Sequence, residues 1–144
     1  HIDLYSKYLF FQASILNQLL WGCESWAIKE SSFDKLDVFL HVSIRKILRI
    51  RMRQVKEDRI SNAFIRQKFY GLQDIRKQIA ARTLKFVGKV IREENYSYPK
   101  QLLTSWVDNK RPQGRPITTN KQSVVKALQL IYPAHPFIQS SENM

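Results

Sequence analysis

The chain has 144 residues, with 24 Lys plus Arg against 12 Asp plus Glu, a net charge of +12 and a pI near 10.0. A chain of this length makes one domain that buries roughly 70% of the surface exposed when unfolded, and 44% hydrophobic residues with only 4 Gly and 5 Pro exclude collagen-like and low-complexity compositions. The charge excludes an acidic disordered tail, argues against a charge-neutral metabolic enzyme and points to an anionic partner.

From about Leu4 to Leu20 the residues Leu4, Tyr8, Phe11, Ile15 and Leu19 recur at helical spacing. They predict a buried helix that Gly22 ends, with Ser25 and Trp26 opening a short link. Ser31 and Ser32 are good N-caps and Asp34 suits a first turn, so a second helix is predicted from about Phe33 to Ile50. On an ideal wheel Phe33, Leu36, Leu40, Ile44, Ile47 and Leu48 share one arc, and Arg45, Lys46, Arg49 and Arg53 share the opposite one.

A short helix is predicted over Ile60 to Tyr70, capped by Ser61 or Asn62 and stopped by Gly71. Asp74 caps the next, from about Ile75 to Glu93. Its apolar arc is Ile75, Ile79, Ala80, Leu84, Val87, Val90 and Ile91; Lys77, Arg82, Lys85, Lys89 and Arg92 lie across from it, and Arg76 stands out on the apolar side. Tyr96 to Pro99 reads as a turn, and Lys100 to Val107 as a short helix burying Leu102, Leu103 and Trp106. Lys110 to Pro116 spells KRPQGRP, whose prolines and glycine break regular helix. A last helix from Asn120 to Ile131 is capped by Thr119 or Asn120 and ended by Pro133. The expected fold is all-α: a small bundle of four to six helices, with residues 1–107 as a helical module, 108–119 a basic link, 120–132 a C-terminal helix and 133–144 a disordered tail.

The positive charge is concentrated. Residues 1–44 hold three bases and five acids, whereas residues 45–126 hold 21 bases and six acids. The candidate sites are the two helix faces, Arg45, Lys46, Arg49 and Arg53, and Arg82, Lys85, Lys89 and Arg92, joined by Lys110, Arg111 and Arg115 of the link. Such faces release counterions on meeting phosphates and bind without choosing a sequence. The Gly114–Arg115–Pro116 core resembles that of an AT-hook, which inserts an arginine into a narrow minor groove; a plain cationic linker has the same composition.

Other chemistry finds little footing. The single Cys23 excludes an internal disulfide and a multi-cysteine zinc site, reads as a small buried or half-buried side chain, and fits a reducing compartment. His1, His41 and His135 are too scattered for a local metal motif, and His41 reads as a surface residue of the second helix. The adjacent pairs Glu57–Asp58 and Glu93–Glu94 sit at helix ends as solvated charges. Trp21, Trp26 and Trp106 stand in apolar neighbourhoods that favour core packing. No phosphate loop or nucleophile motif is present, so no catalytic residue, cofactor site, metal site, small-molecule substrate or membrane span is expected. A first residue of His rather than Met suggests a fragment or mature product.

The order of the segments carries more. LLWGCESWAI (Leu19 to Ile28) precedes KLDVFLHVSIRKILRI (Lys35 to Ile50), ISNAFIRQKF (Ile60 to Phe69), RTLKFVGKVIRE (Arg82 to Glu93) and KRPQGRP. Over residues 9–117 this succession resembles the segment that follows the catalytic palm in reverse transcriptases of non-LTR, LINE-type retrotransposons. The resemblance implies a thumb and post-thumb helical module that grips the RNA/DNA or DNA duplex, with Arg45, Arg49, Arg82, Lys89, Arg92, Lys110, Arg111 and Arg115 at matching basic positions. It also implies an intracellular ribonucleoprotein, nuclear or cytoplasmic, and a palm of the same parent polypeptide as partner. The family's catalytic aspartates match nothing here, so RNA-directed DNA polymerase chemistry and its magnesium are expected in the parent rather than in this chain. Two other readings remain open: a free-standing helical DNA-binding protein anchored by the AT-hook-like link, and a basic scaffold for an acidic protein.

Overall fold

The computed structural model describes residues 2–26, 28–104 and 120–133. Every regular element among them is helical, so the fold is all-α as expected. The chain divides into two compact units, His1–Gln78 and Ile79–Met144.

In the first unit, α1 (Leu4–Phe10) starts on an N-cap that the sequence reading passed over: the Asp3 carboxylate accepts from the Tyr5 and Ser6 amides at 3.1 and 3.3 Å. The helical path then widens into a π segment, Phe11–Leu16, before a last turn, α2 (Asn17–Leu19). The Asn17 amide reaches back five residues to the Gln12 carbonyl, which adds one residue to the turn. The inward positions are therefore Phe11, Leu16 and Leu20, at spacings of five and four, and the expected Ile15 and Leu19 are displaced, Ile15 to the surface and Leu19 to a half-buried position. Gly22 closes the stretch with φ +69°, as expected. Leu20 and Cys23 turn inward on either side of this tight reversal, which leaves Trp21 between them 83% exposed rather than in the core.

The helix α3 (Glu30–Leu48) begins one turn earlier than the serines suggest. The Ser32 amide is satisfied by the Lys29 carbonyl at 2.9 Å, so Ser31 and Ser32 lie inside the first turn and cap nothing. Its apolar arc is as read, with Leu40 and Ile44 fully buried. The helix stops at Leu48 in a Schellman motif: the Ile50 amide bonds Arg45 O at 2.9 Å, the Arg49 amide bonds Lys46 O at 3.2 Å, and Arg49 itself takes φ +57°.

An unforeseen short helix, α4 (Met52–Glu57), follows and ends the same way, with Arg59 at φ +48° and the Ile60 amide on Val55 O at 3.1 Å. Ser61 then caps α5 (Asn62–Lys68) by accepting from the Phe64 amide at 3.1 Å, as expected. That helix is shorter than its apolar pattern because the chain turns through Tyr70 at φ +53° and Gly71 at φ +64°. Helix α3 packs on α5, and Phe11 meets Phe69 edge to face at 5.6 Å.

Helix α6 (Ile75–Arg92) spans the boundary between the units, and Asp74 caps it as expected, its Oδ1 accepting from the Arg76 amide at 2.9 Å. Within it Ile75, Ile79, Ala80, Thr83, Val87 and Val90 are buried. Thr83 lies near the middle of this arc, and Ile91 at its rim in the last turn is exposed, contrary to expectation. In the second unit α7 (Tyr98–Thr104) takes Pro99 into its first turn, where a missing amide is tolerated. This seven-residue helix has one narrow inner face, which Leu103 half-occupies, so Leu102 is 84% exposed rather than buried. The bounds of α8 (Asn120–Ile131) agree with the reading, and Ala127 is its buried residue. Trp106, Thr119, the link Lys110 to Pro116 and the tail beyond Pro133 lie outside the described residues.

Candidate nucleic-acid interface

In the first unit the predicted basic face is not one helix arc. Arg45 and Lys46 occupy the last turn of α3, where cations complement the helix dipole. Arg49 is the left-handed residue beyond the helix, and Arg53 belongs to α4, bonded to Glu57 at 2.7 Å. The wheel failed because no glycine marks the end of α3 and an arginine fills the left-handed position. What the structure gathers instead is a corner, α3 to α4 to the start of α5, in which residues 45–59 carry seven bases and two acids. Arg51, Lys56 and Arg59 belong to it and are exposed. The wheel passed over them; the charge run itself was the signal.

Two other cations of the first unit are held by carboxylates of the fold. Arg66 of α5 is half-buried and donates to His41 Nε2 and to Asp74 Oδ2, each at 3.3 Å, with Asp37 Oδ1 at 3.9 Å. His41, expected at the surface, is only 2% exposed because it lies on the α3 face that α5 covers. Its Nδ1 is 2.8 Å from the Asp37 carbonyl and 3.2 Å from Asp37 Oδ2. Arg76 bonds Glu30 and Asp34 of α3, the latter at 3.0 Å, and stacks over the Phe33 ring at 4.8 Å. Its odd place on the apolar side of α6 is explained by this clamp. The first unit thus separates structural arginines from outward ones: among the described residues, Arg53 alone of the seven bases at 45–59 forms a salt bridge.

In the second unit Lys85, Lys89 and Arg92 are exposed along α6 at spacings of four and three, which keeps them on one side of the helix. Arg82 is half-buried and engaged in an interaction. The Arg92 guanidinium lies along the helix over Gly88, where a Cβ would stand 3.4 Å from its Nη1. Phe86, at the border between this side and the apolar arc, is 46% exposed. Glu93 accepts from the Ser97 hydroxyl, and Lys100 donates to the Glu93 carbonyl at 2.7 Å, which fixes the joint of α6 with α7. Lys110, Arg111 and Arg115 lie outside the described residues.

These groups can donate hydrogen bonds and attract anions; neither Lys nor Arg accepts. Among the described residues no group of three or more His, Cys, Asp or Glu is placed to hold a metal ion. No described helix is long and apolar enough to cross a membrane. No family model matches the chain, and no curated protein or solved structure matches it either.

Proposed function

We propose that the chain is a nucleic-acid-binding helical module that holds an RNA/DNA or DNA duplex by its sugar–phosphate backbone, as the thumb-side segment of a non-LTR retrotransposon reverse transcriptase. The observation that carries this reading is the sorting of cations by role. Arg66 and Arg76 are paired with carboxylates of the fold, while Lys46, Arg49, Arg51, Lys56, Arg59, Lys85, Lys89 and Arg92 stand exposed. Salt bridges between surface groups are worth little, so folding has small use for such a surplus. A polyanion uses it fully, because each phosphate neutralised releases condensed counterions. Contacts of this kind fix position on the backbone and leave the bases unread. In this reading polymerisation and its magnesium belong to palm carboxylates of the parent polypeptide.

The test is fluorescence anisotropy with a labelled RNA/DNA hybrid at about 50 and 200 mM salt. Affinity is expected to fall steeply with salt, and Lys85→Ala with Lys89→Ala to flatten the log–log slope by about 2. No binding at the lower salt overturns the reading in favour of an acidic protein partner. The polymerase origin has its own check: the reading frame ahead of His1 is expected to encode a Tyr-x-Asp-Asp strand within roughly 100 to 200 residues, and its absence rejects that origin.

A further inference from the structure

At the border between the cationic side and the apolar arc of α6 stands a residue that backbone electrostatics does not require. Phe86 is 46% exposed and sits one turn after Arg82 and three residues before Lys89, about 40° and 60° from them around the helix axis. Lys89 is exposed, and so is Lys85, which lies about 100° further round the axis. A phosphate contact uses only donors, so a half-exposed ring adds nothing to it. A ring flanking a row of cations is, however, the pairing that holds unpaired nucleotides: the cations follow the phosphates and the ring takes the face of a base. In a continuous duplex both faces of each internal base are covered by its neighbours. From this juxtaposition we infer that Phe86 stacks on an unpaired base, so that the α6 face that meets phosphates also accepts a single strand beside the duplex. The inference rests on the nucleic-acid reading above and specifies the form of the strand.

Two probes decide it, a labelled oligo(dT) strand and a blunt RNA/DNA hybrid of equal length, each titrated with the full chain at about 50 mM salt. The native chain is expected to bind both probes. Phe86→Leu is expected to weaken single-strand binding about tenfold and leave hybrid binding unchanged, while Phe86→Tyr retains both. Equal losses on both probes, or no loss on the single strand, overturn the inference and leave the duplex reading standing. Binding to neither probe by the native chain removes both readings. A second measurement does not depend on the variants folding: a strand carrying 5-iodouracil, irradiated with the native chain, is expected to crosslink to the peptide that contains Phe86. Crosslinks confined to other peptides overturn the inference.

Discussion

The Arg66 guanidinium places Nη1 3.3 Å from Nε2 of His41, a ring nitrogen inside the contact of α3 with α5. Arginine only donates, so Nε2 must accept, and the ring carries its proton on Nδ1, directed at the Asp37 carbonyl 2.8 Å away. The pair joins two helices through one defined tautomer. Replacing the ring by His41→Leu keeps comparable volume and removes both bonds. The expected cost is about 1 to 2 kcal/mol of unfolding free energy by urea titration. Long-range nitrogen NMR of the native chain is expected to show the Nδ1–H tautomer; an Nε2–H tautomer contradicts the assigned bond.

Arg76 is a second arginine claimed by the fold. Its partners Glu30 and Asp34 are mostly solvent-exposed, so the ion pairs are screened and weak, whereas its stacking over Phe33 depends on the planar guanidinium. Arg76→Ala is expected to cost about 1 kcal/mol in low salt and less in about 1 M NaCl. Arg76→Lys restores the charge and recovers only part of the loss, since an ammonium does not reproduce the flat contact. Full recovery by lysine in urea denaturation assigns the effect to charge alone.

How far the sequence discloses this fold depends on how local each determinant is. Helix α8 and the Asp74 cap of α6 are readable because apolar spacing and a capping side chain lie within a few residues. The π turn is not, since it depends on the Asn17 amide choosing Gln12 O over the next carbonyl, a choice that no residue type announces. Burial of His41 is invisible for a different reason: its covering partner Arg66 arrives 25 positions later. The candidate site was readable as a density of charge, and its division between α3, its left-handed cap and α4 was not. Arg49 and Arg59 stand where glycine would have signalled a helix end.

Asp3 supplies a pH-dependent element. Its hydrogen bonds to Ser6, first to the side chain and then to the backbone, hold its carboxyl below the ordinary 3.8. A depressed carboxylate stabilises the folded form above its unfolded pKa, and that contribution is lost as pH falls through the lower folded value. The start of α1 is therefore expected to fray in acid below pH 3.8. The amide shifts of Tyr5 and Ser6 report it. Asp3→Asn keeps an oxygen acceptor without the titration, so its shifts are expected to stay flat over the same range; a matching transition in that variant rejects the cap as the cause.

Arg49 separates stability from binding most directly. It holds φ +57°, a left-handed conformation that disfavours an L side chain by roughly 1 kcal/mol and that glycine adopts freely. Arg49→Gly preserves the two closing bonds, Ile50 N to Arg45 O and residue 49 N to Lys46 O, because both are made by backbone atoms. Thermal unfolding is expected to shift upward by an amount worth about 0.5 to 1 kcal/mol. The same substitution removes an exposed cation from the α3–α4 corner, so affinity for the RNA/DNA hybrid is expected to fall and the salt slope to flatten by about 0.9. Arg49→Lys keeps the charge and the strain, and leaves both measurements near native. A more stable glycine variant with an unchanged slope shows that this corner does not meet phosphate and confines the interface to the other cations. A variant that binds less without becoming more stable shows that the left-handed cap was not strained.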